Sequence, residues 1–141
     1  RRGSAGVVLH NNKFYIFSGI TNGHTNGWVT WVDEYDPATN TWRQLPDAPR
    51  ARDHFFATQV GTKVYLAGGR RSGQVNTFAP TVPEVDVFDL TTETWQTTSL
   101  PDNLPTQRAG AATVNFKGEV VVIGGEQSNN SLAVPVVEAL N

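Results

Sequence analysis

The 141-residue chain contains no cysteine. That excludes disulfides, thiolate metal sites and thiol nucleophiles within it, and leaves its localisation open. Charge is sparse and nearly balanced: 11 Lys and Arg against 13 Asp and Glu give a formal charge of −2, which argues against a broad nucleic-acid or membrane-surface binder. No apolar run approaches the roughly 18 residues of a membrane-spanning helix. Helical periodicity is nearly absent. The chain starts at Arg1 with neither an initiator Met nor the charged-then-apolar pattern of a signal peptide, so it is expected to be part of something longer. What is present is 13 Gly and 8 Pro scattered between short runs rich in Val, Thr, Tyr, Phe and Trp. This strand-and-turn texture predicts an all-β fold.

A repeat organises the chain. Arg2, Arg52 and Arg108 each precede small or apolar residues, and each is followed 17 positions later by Gly19, Gly69 or Gly125. Apolar runs lead into those glycines: Phe14 to Phe17, Val64 to Ala67 and Val120 to Ile123. After a polar loop of variable length come Val32-Asp33-Glu34-Tyr35-Asp36, Val85-Asp86-Val87-Phe88-Asp89 and the weaker Val137-Glu138-Ala139-Leu140-Asn141. Asp36 to Trp42 and Asp89 to Trp95 are both six apart. Each unit therefore holds four strand candidates, a to d, with strand a expected over 4–10, 53–60 and 109–116. The tight polar a–b turns suit antiparallel hairpins with positive φ. The Asp and Thr residues of the c–d segments suit side-chain capping of a turn.

Side-chain size shows what these sheets pack against. Strand a is rich in Gly and Ala, strand b is apolar at successive positions, and strand d carries Trp42 and Trp95. Small residues fit the narrow inner end of radially arranged sheets, a strand buried on both faces fits the middle, and tryptophan fits the wide outer gap. That gradient predicts blades of a ring rather than a two-layer sandwich.

In combination these residues resemble the kelch family: a basic residue before strand a, a second strand ending in Gly68-Gly69 or Gly124-Gly125, then Val-Asp/Glu-x-Tyr/Phe-Asp and a Trp six further on. The first copy departs with Ser18-Gly19, and the third stops before its turn and Trp. The resemblance implies a kelch-type β-propeller fragment of about three four-stranded antiparallel blades, the last incomplete, with repeats at 1–49, 50–105 and 106–141. Closed propellers use roughly four to eight blades. The remaining blades are thus expected from a parent chain or a second copy, the latter giving a homodimer.

The resemblance implies two functional readings. In one, the module is a non-catalytic protein- or peptide-binding scaffold acting through loops at the ring mouth. In the other, it is a fragment of a sugar-active enzyme. A copper oxidase resembling galactose oxidase would need a crosslinking cysteine that is absent here. An epimerase resembling those of sialic acid would use His54, Arg52 and Glu126 as acid, base and carboxylate clamp if they face one pocket. A purely architectural wedge is the third possibility.

The residues themselves favour binding over catalysis. His10, His24 and His54 occupy unrelated positions without short metal-ligand spacing, so no metal is expected. The acidic residues of strand c recur from unit to unit, as structural residues do. Gly68 to Gln74 has the glycine spacing of a phosphate loop, but Gln74 stands where Lys is required. No Gly-x-Ser-x-Gly elbow appears. No cofactor is expected. The repeated Arg2, Arg52 and Arg108 have two readings: guanidiniums that bind backbone carbonyls around the mouth, or a ring that receives an acidic partner bidentately. The b–c loops add Trp28, Arg70, Arg71 and Phe78, types enriched at binding hot spots, and His24 and His54 join them as binding candidates. Asn129-Asn130-Ser131 matches a glycosylation sequon, a weak signal alone.

Overall fold

The computed structural model describes residues 1–73, 80–97, 103–127 and 132–140. Within them the fold is all-β. The first sheet pairs β1 (Gly6–His10), β2 (Lys13–Phe17), β5 (Val32–Asp36) and β6 (Thr41–Leu45) in the order β1-β2-β5-β6, and the short hairpin of β3 (Ile20–Asn22) and β4 (Asn26–Trp28) stands apart from it. The second sheet runs from β7 (Phe56–Val60) through β8 (Lys63–Ala67) and β9 (Asp86–Asp89) to β10 (Thr94–Thr97). The third comprises β11 (Ala112–Phe116), β12 (Glu119–Ile123) and β13 (Val137–Leu140). All neighbours are antiparallel, and register repeats between sheets: Gly6 lies opposite Phe17, Phe56 opposite Ala67 and Ala112 opposite Ile123.

The local chemistry explains the turns. Asn11 and Asn12, Gly61, and Lys117 with Gly118 take positive φ between the first two strands of each sheet. Asp36 Oδ1 accepts the Ala38 amide at 2.9 Å, and Asp89 Oδ1 accepts that of Thr91 at 2.8 Å. Strand a starts later than the sequence implies, at Gly6, Phe56 and Ala112. The cause is a left-handed residue in every unit: Ser4 and His54 at φ 52° and Gly110 at φ 63°. Before it, Gly3, Asp53 and Ala109 make single bridges to Ile20, Arg70 and Glu126. The β3–β4 hairpin lies where only a polar loop was expected.

The sheets converge at their first strands, β1 running beside β7 and β7 beside β11. Small residues allow it: a Cβ on Gly6 would lie 2.6 Å from the Phe55 ring and 2.9 Å from Ala57 Cβ. Backbone bonds stitch the same region, Gly19 N to Arg52 O and Gly69 N to Arg108 O, both 2.9 Å. One apolar cluster, with Val8, Phe17, Val32, Phe55, Leu66 and Phe88, fills the first intersheet space. Another, with Ala67, Val85, Val87, Leu104, Ala111 and Val122, fills the second. Trp95 closes the outer edge of the first space, its ring 6.0 Å from Phe17 and 5.0 Å from Phe88, its Nε1 donating to Pro46 O at 2.9 Å.

The middle sheet is thus covered on both faces, as the continuous apolar run of strand b predicts. The end sheets are not. Val7, Leu9, Phe14, Trp31 and Trp42 are exposed on the first, and Val114, Ile123 and Val137 on the third. Trp42 holds the repeat position of Trp95, but its ring lies against Tyr35 of its own sheet, at 4.7 Å, and is 64% exposed.

Candidate functional site

The single bridges tie the segment entering each first strand to the loop leaving each second strand. These segments therefore share one end of the wedge, the mouth, and the tight hairpin turns lie at the other. Arg2, His24, Trp28, Arg52, His54, Arg70, Arg71 and Arg108 all belong to the mouth segments. Phe78 and the Asn129-Asn130-Ser131 sequon lie outside the described residues.

The three repeated arginines act inward. Arg52 Nη1 donates to Leu66 O at 2.8 Å and Gly68 O at 2.7 Å, and Nη2 to Asp86 Oδ2 at 2.6 Å. Arg108 donates to Thr106 O, Gly124 O and Val136 O and pairs with Glu138 at 2.9 Å. Arg2 repeats the scheme with Ile16 O at 2.9 Å and Asp33 at 2.7 Å. Each guanidinium thus ties strand b to strand c. Arg52 and Arg108 have no exposed surface. Burial pulls Arg52 down to about 10, with the Asp86 carboxylate opposing that shift, so it remains cationic at neutral pH.

The glycines at the base of the mouth divide into two kinds. Ser18, Gly68 and Gly124 take φ 53°, 74° and 67°, the left-handed region that serine can enter. Gly19, Gly69 and Gly125 sit at φ 107°, 99° and 95°, and a Cβ there would lie 2.7 to 3.0 Å from the carbonyl oxygen of Gly3, Asp53 or Ala109. This explains the Ser18-Gly19 departure: the first place has room for a side chain in the first and third units, though not at Gly68, where a Cβ would lie 2.8 Å from Arg108 O, and the second place has none in any unit.

The acidic residues of strand c also serve structure. Glu34 meets Arg43 at 2.8 Å and Lys13 at 3.0 Å. Arg43 foremost, with Lys13 and Tyr15, holds the Glu34 carboxyl down to about 2. Burial, then the hydrogen bond to Glu34, pushes the Tyr15 phenol up to about 12.

Unit-specific residues gather over the second sheet. Asp53, fully buried, accepts the Ser72 amide at 2.9 Å and hydroxyl at 2.6 Å, and also His54 Nδ1. Arg70 Nε donates to Ser72 Oγ at 2.9 Å, and its Nη1 pairs with Glu126 of the third unit. The β3–β4 hairpin reaches across from the first unit, Trp28 Nε1 donating to Ser72 O at 2.7 Å and His24 Nε2 meeting His54 Nε2 at 3.0 Å. Pockets of about 270 Å³, beside Arg2, Ser4 and His24, and 360 Å³, beside Gly110 and Glu126, open at this end.

Sequence reasoning brought His24, Trp28, His54, Arg70 and Arg71 to the mouth but missed Asp53 and Ser72, which hold them. The signal was present. Asp53 stands where the other units have Gly3 and Ala109, a departure from a repeat that marks a local role. The three residues named for an epimerase share no open cleft, since Arg52 is sealed off, His54 faces His24 and Glu126 pairs with Arg70.

Three four-stranded or three-stranded antiparallel sheets that converge at their first strands define a partial β-propeller built from repeats. Comparison with known proteins names the repeat. The family model described as the KLHDC2/KLHL20/DRC7 kelch-repeats domain matches residues 1–136. Kelch-like protein terF of Aspergillus terreus is 32% identical over 130 residues, covering 88% of this chain and 27% of that protein. The F-box/kelch-repeat protein At2g29820 of Arabidopsis thaliana is 35% identical over 95 residues, 67% of this chain and 22% of the relative. Another from the same plant, At2g29860, is 32% identical over 111 residues, 79% and 39% of the two chains. The chain belongs to the kelch-repeat family, and it spans 22% to 39% of the length of these relatives.

Proposed function

We propose that this kelch module is a non-catalytic binder of proteins or peptides, and that its partner docks at the mouth with an acidic group against Arg71. One observation carries the reading. Arg2, Arg43, Arg50, Arg52, Arg70 and Arg108 are each paired with a carboxylate, whereas half-buried Arg71 makes no ion pair among the described residues, and its Nε is buried without a hydrogen-bond partner. A partly desolvated guanidinium of this kind gains most from a bidentate carboxylate. Trp28, anchored through its Nε1 to the next residue, Ser72, and 40% exposed, supplies an aromatic surface beside it. Arg52 and Arg108 enter this reading as supports of the mouth.

The exposed apolar faces of the end sheets are complementary by repeat position to the two faces that the middle sheet buries. They are covered, in this proposal, by further kelch units, continuous with the chain or brought by a second copy.

Peptide display against the chain tests the mouth. Enrichment of acidic peptides, with at least tenfold weaker binding by Arg71→Glu and by Trp28→Ala, supports the proposal. Recovery of no peptides, or of peptides indifferent to both substitutions, overturns it.

A further inference from the structure

Two of the three histidines, unrelated in sequence, meet at the mouth. His24 Nε2 and His54 Nε2 are 3.0 Å apart, with ring centroids at 4.8 Å and planes inclined by 37°. The other nitrogen of His54, Nδ1, donates to the carboxylate of Asp53. That carboxylate has no exposed surface and is fixed in turn by the amide and hydroxyl of Ser72. In the tautomer that donates from Nδ1 to this carboxylate, the imidazole of His54 turns an Nε2 lone pair toward His24. A carboxylate that fixes the tautomer and ring plane of a histidine, leaving Nε2 free, is the support that metal-binding imidazoles use.

We propose that His24 and His54 form a two-imidazole site for a borderline-soft divalent cation such as Zn2+, with Asp53 as the positioning residue. The spacing fits. A tetrahedral ion about 2.0–2.1 Å from each nitrogen requires about 3.3 Å between them, so the observed 3.0 Å has to open by only a few tenths of an ångström. His24 provides the movement, because it is exposed in the turn between β3 and β4.

The rest of the site is built. Trp28 Nε1 pins the hairpin to Ser72 O at 2.7 Å, and Asn22 Nδ2 donates to Asn26 Oδ1 at 2.9 Å where the turn that carries His24 closes. His54 is set by its left-handed backbone and by its amide, which donates to Ser4 O at 3.2 Å. Arg70, whose Nε lies 3.9 Å from Asp53 Oδ1, has its own charge met by Glu126. Among the described residues no third His, Asp or Glu joins the pair. The remaining coordination positions therefore go to water or to a carboxylate brought by a partner, and the ion is exchangeable rather than structural.

Titration of the tag-free chain with Zn2+, followed by imidazole 15N resonances and by calorimetry, tests the site. The expected result is a saturable shift of the His24 and His54 Nε2 resonances at one ion per chain. His10, whose Nδ1 meets Gln59 Nε2 at 2.9 Å, stays unshifted. His24→Gln, in an exposed turn, and His54→Ser, which installs the residue that the first unit carries at the same left-handed position, should each weaken binding at least tenfold. No shift at millimolar Zn2+, equal shifts of all three histidines, or unchanged affinity in both variants overturns the proposal.

Discussion

Trp42 and Trp95 hold the same repeat position, and their substitution by alanine separates wedge packing from anything intrinsic to the strand. Trp95 touches Phe17 and Phe88 across the first intersheet space and donates to Pro46 O. Truncating a well-packed Trp costs about 3–5 kcal/mol. Trp95 is half-buried, which favours the low end, but the lost hydrogen bond adds about 1 kcal/mol. Trp95→Ala should therefore cost about 3–4 kcal/mol. Trp42 is 64% exposed and lies against Tyr35 of its own sheet, so Trp42→Ala should cost less than about 1 kcal/mol, the worth of a single aromatic pair. Urea unfolding monitored by circular dichroism, at concentrations where sedimentation shows a monomer, measures both. If sedimentation shows self-association at higher concentration, as a second copy covering the open face would give, the Trp42 cost should rise there toward that of Trp95. Equal losses in the monomer would refute the claim that intersheet contact, rather than the strand itself, gives this tryptophan its energetic role.

Glu34 is held down to about 2 from an ordinary value of 4.5. Its stabilising contribution is complete above 4.5 and is lost as pH falls through 2. With Arg43 half exposed, the loss should be about 2 kcal/mol. Chemical denaturation at pH 7, 4.5 and 2.5 should show the gap between wild type and Glu34→Gln closing over the lower interval, and a constant gap would contradict this. The paired glycines give a second contrast, read by thermal unfolding. Gly124→Ser should cost about 1 kcal/mol, since nothing lies within 4 Å of the added Cβ and its φ of 67° suits a left-handed residue. Gly125→Ala should cost about 3 kcal/mol, because φ is 95° and the Cβ would stand 2.7 Å from Ala109 O.

The sequence by itself determined the repeat and, through it, the fold. Arg-to-Gly spacing, the Val-Asp-x-aromatic-Asp runs and the small-to-large gradient are periodic, and periodic features report geometry that every blade shares. It also marked the mouth residues His24, Trp28, Arg70 and Arg71 as types suited to contact. Only the tertiary structure decided what each of them touches. Three arginines at equivalent repeat positions bind carbonyls at strand b and carboxylates of strand c because both strands pass within reach of strand a's entry, a proximity spanning 31 residues in the case of Arg2 and Asp33. His24 and His54, 30 positions apart and in different units, face one another because an unforeseen hairpin crosses from one sheet to the next. The relative placement of two blades is set by side-chain packing between them, and no spacing along a single strand encodes it.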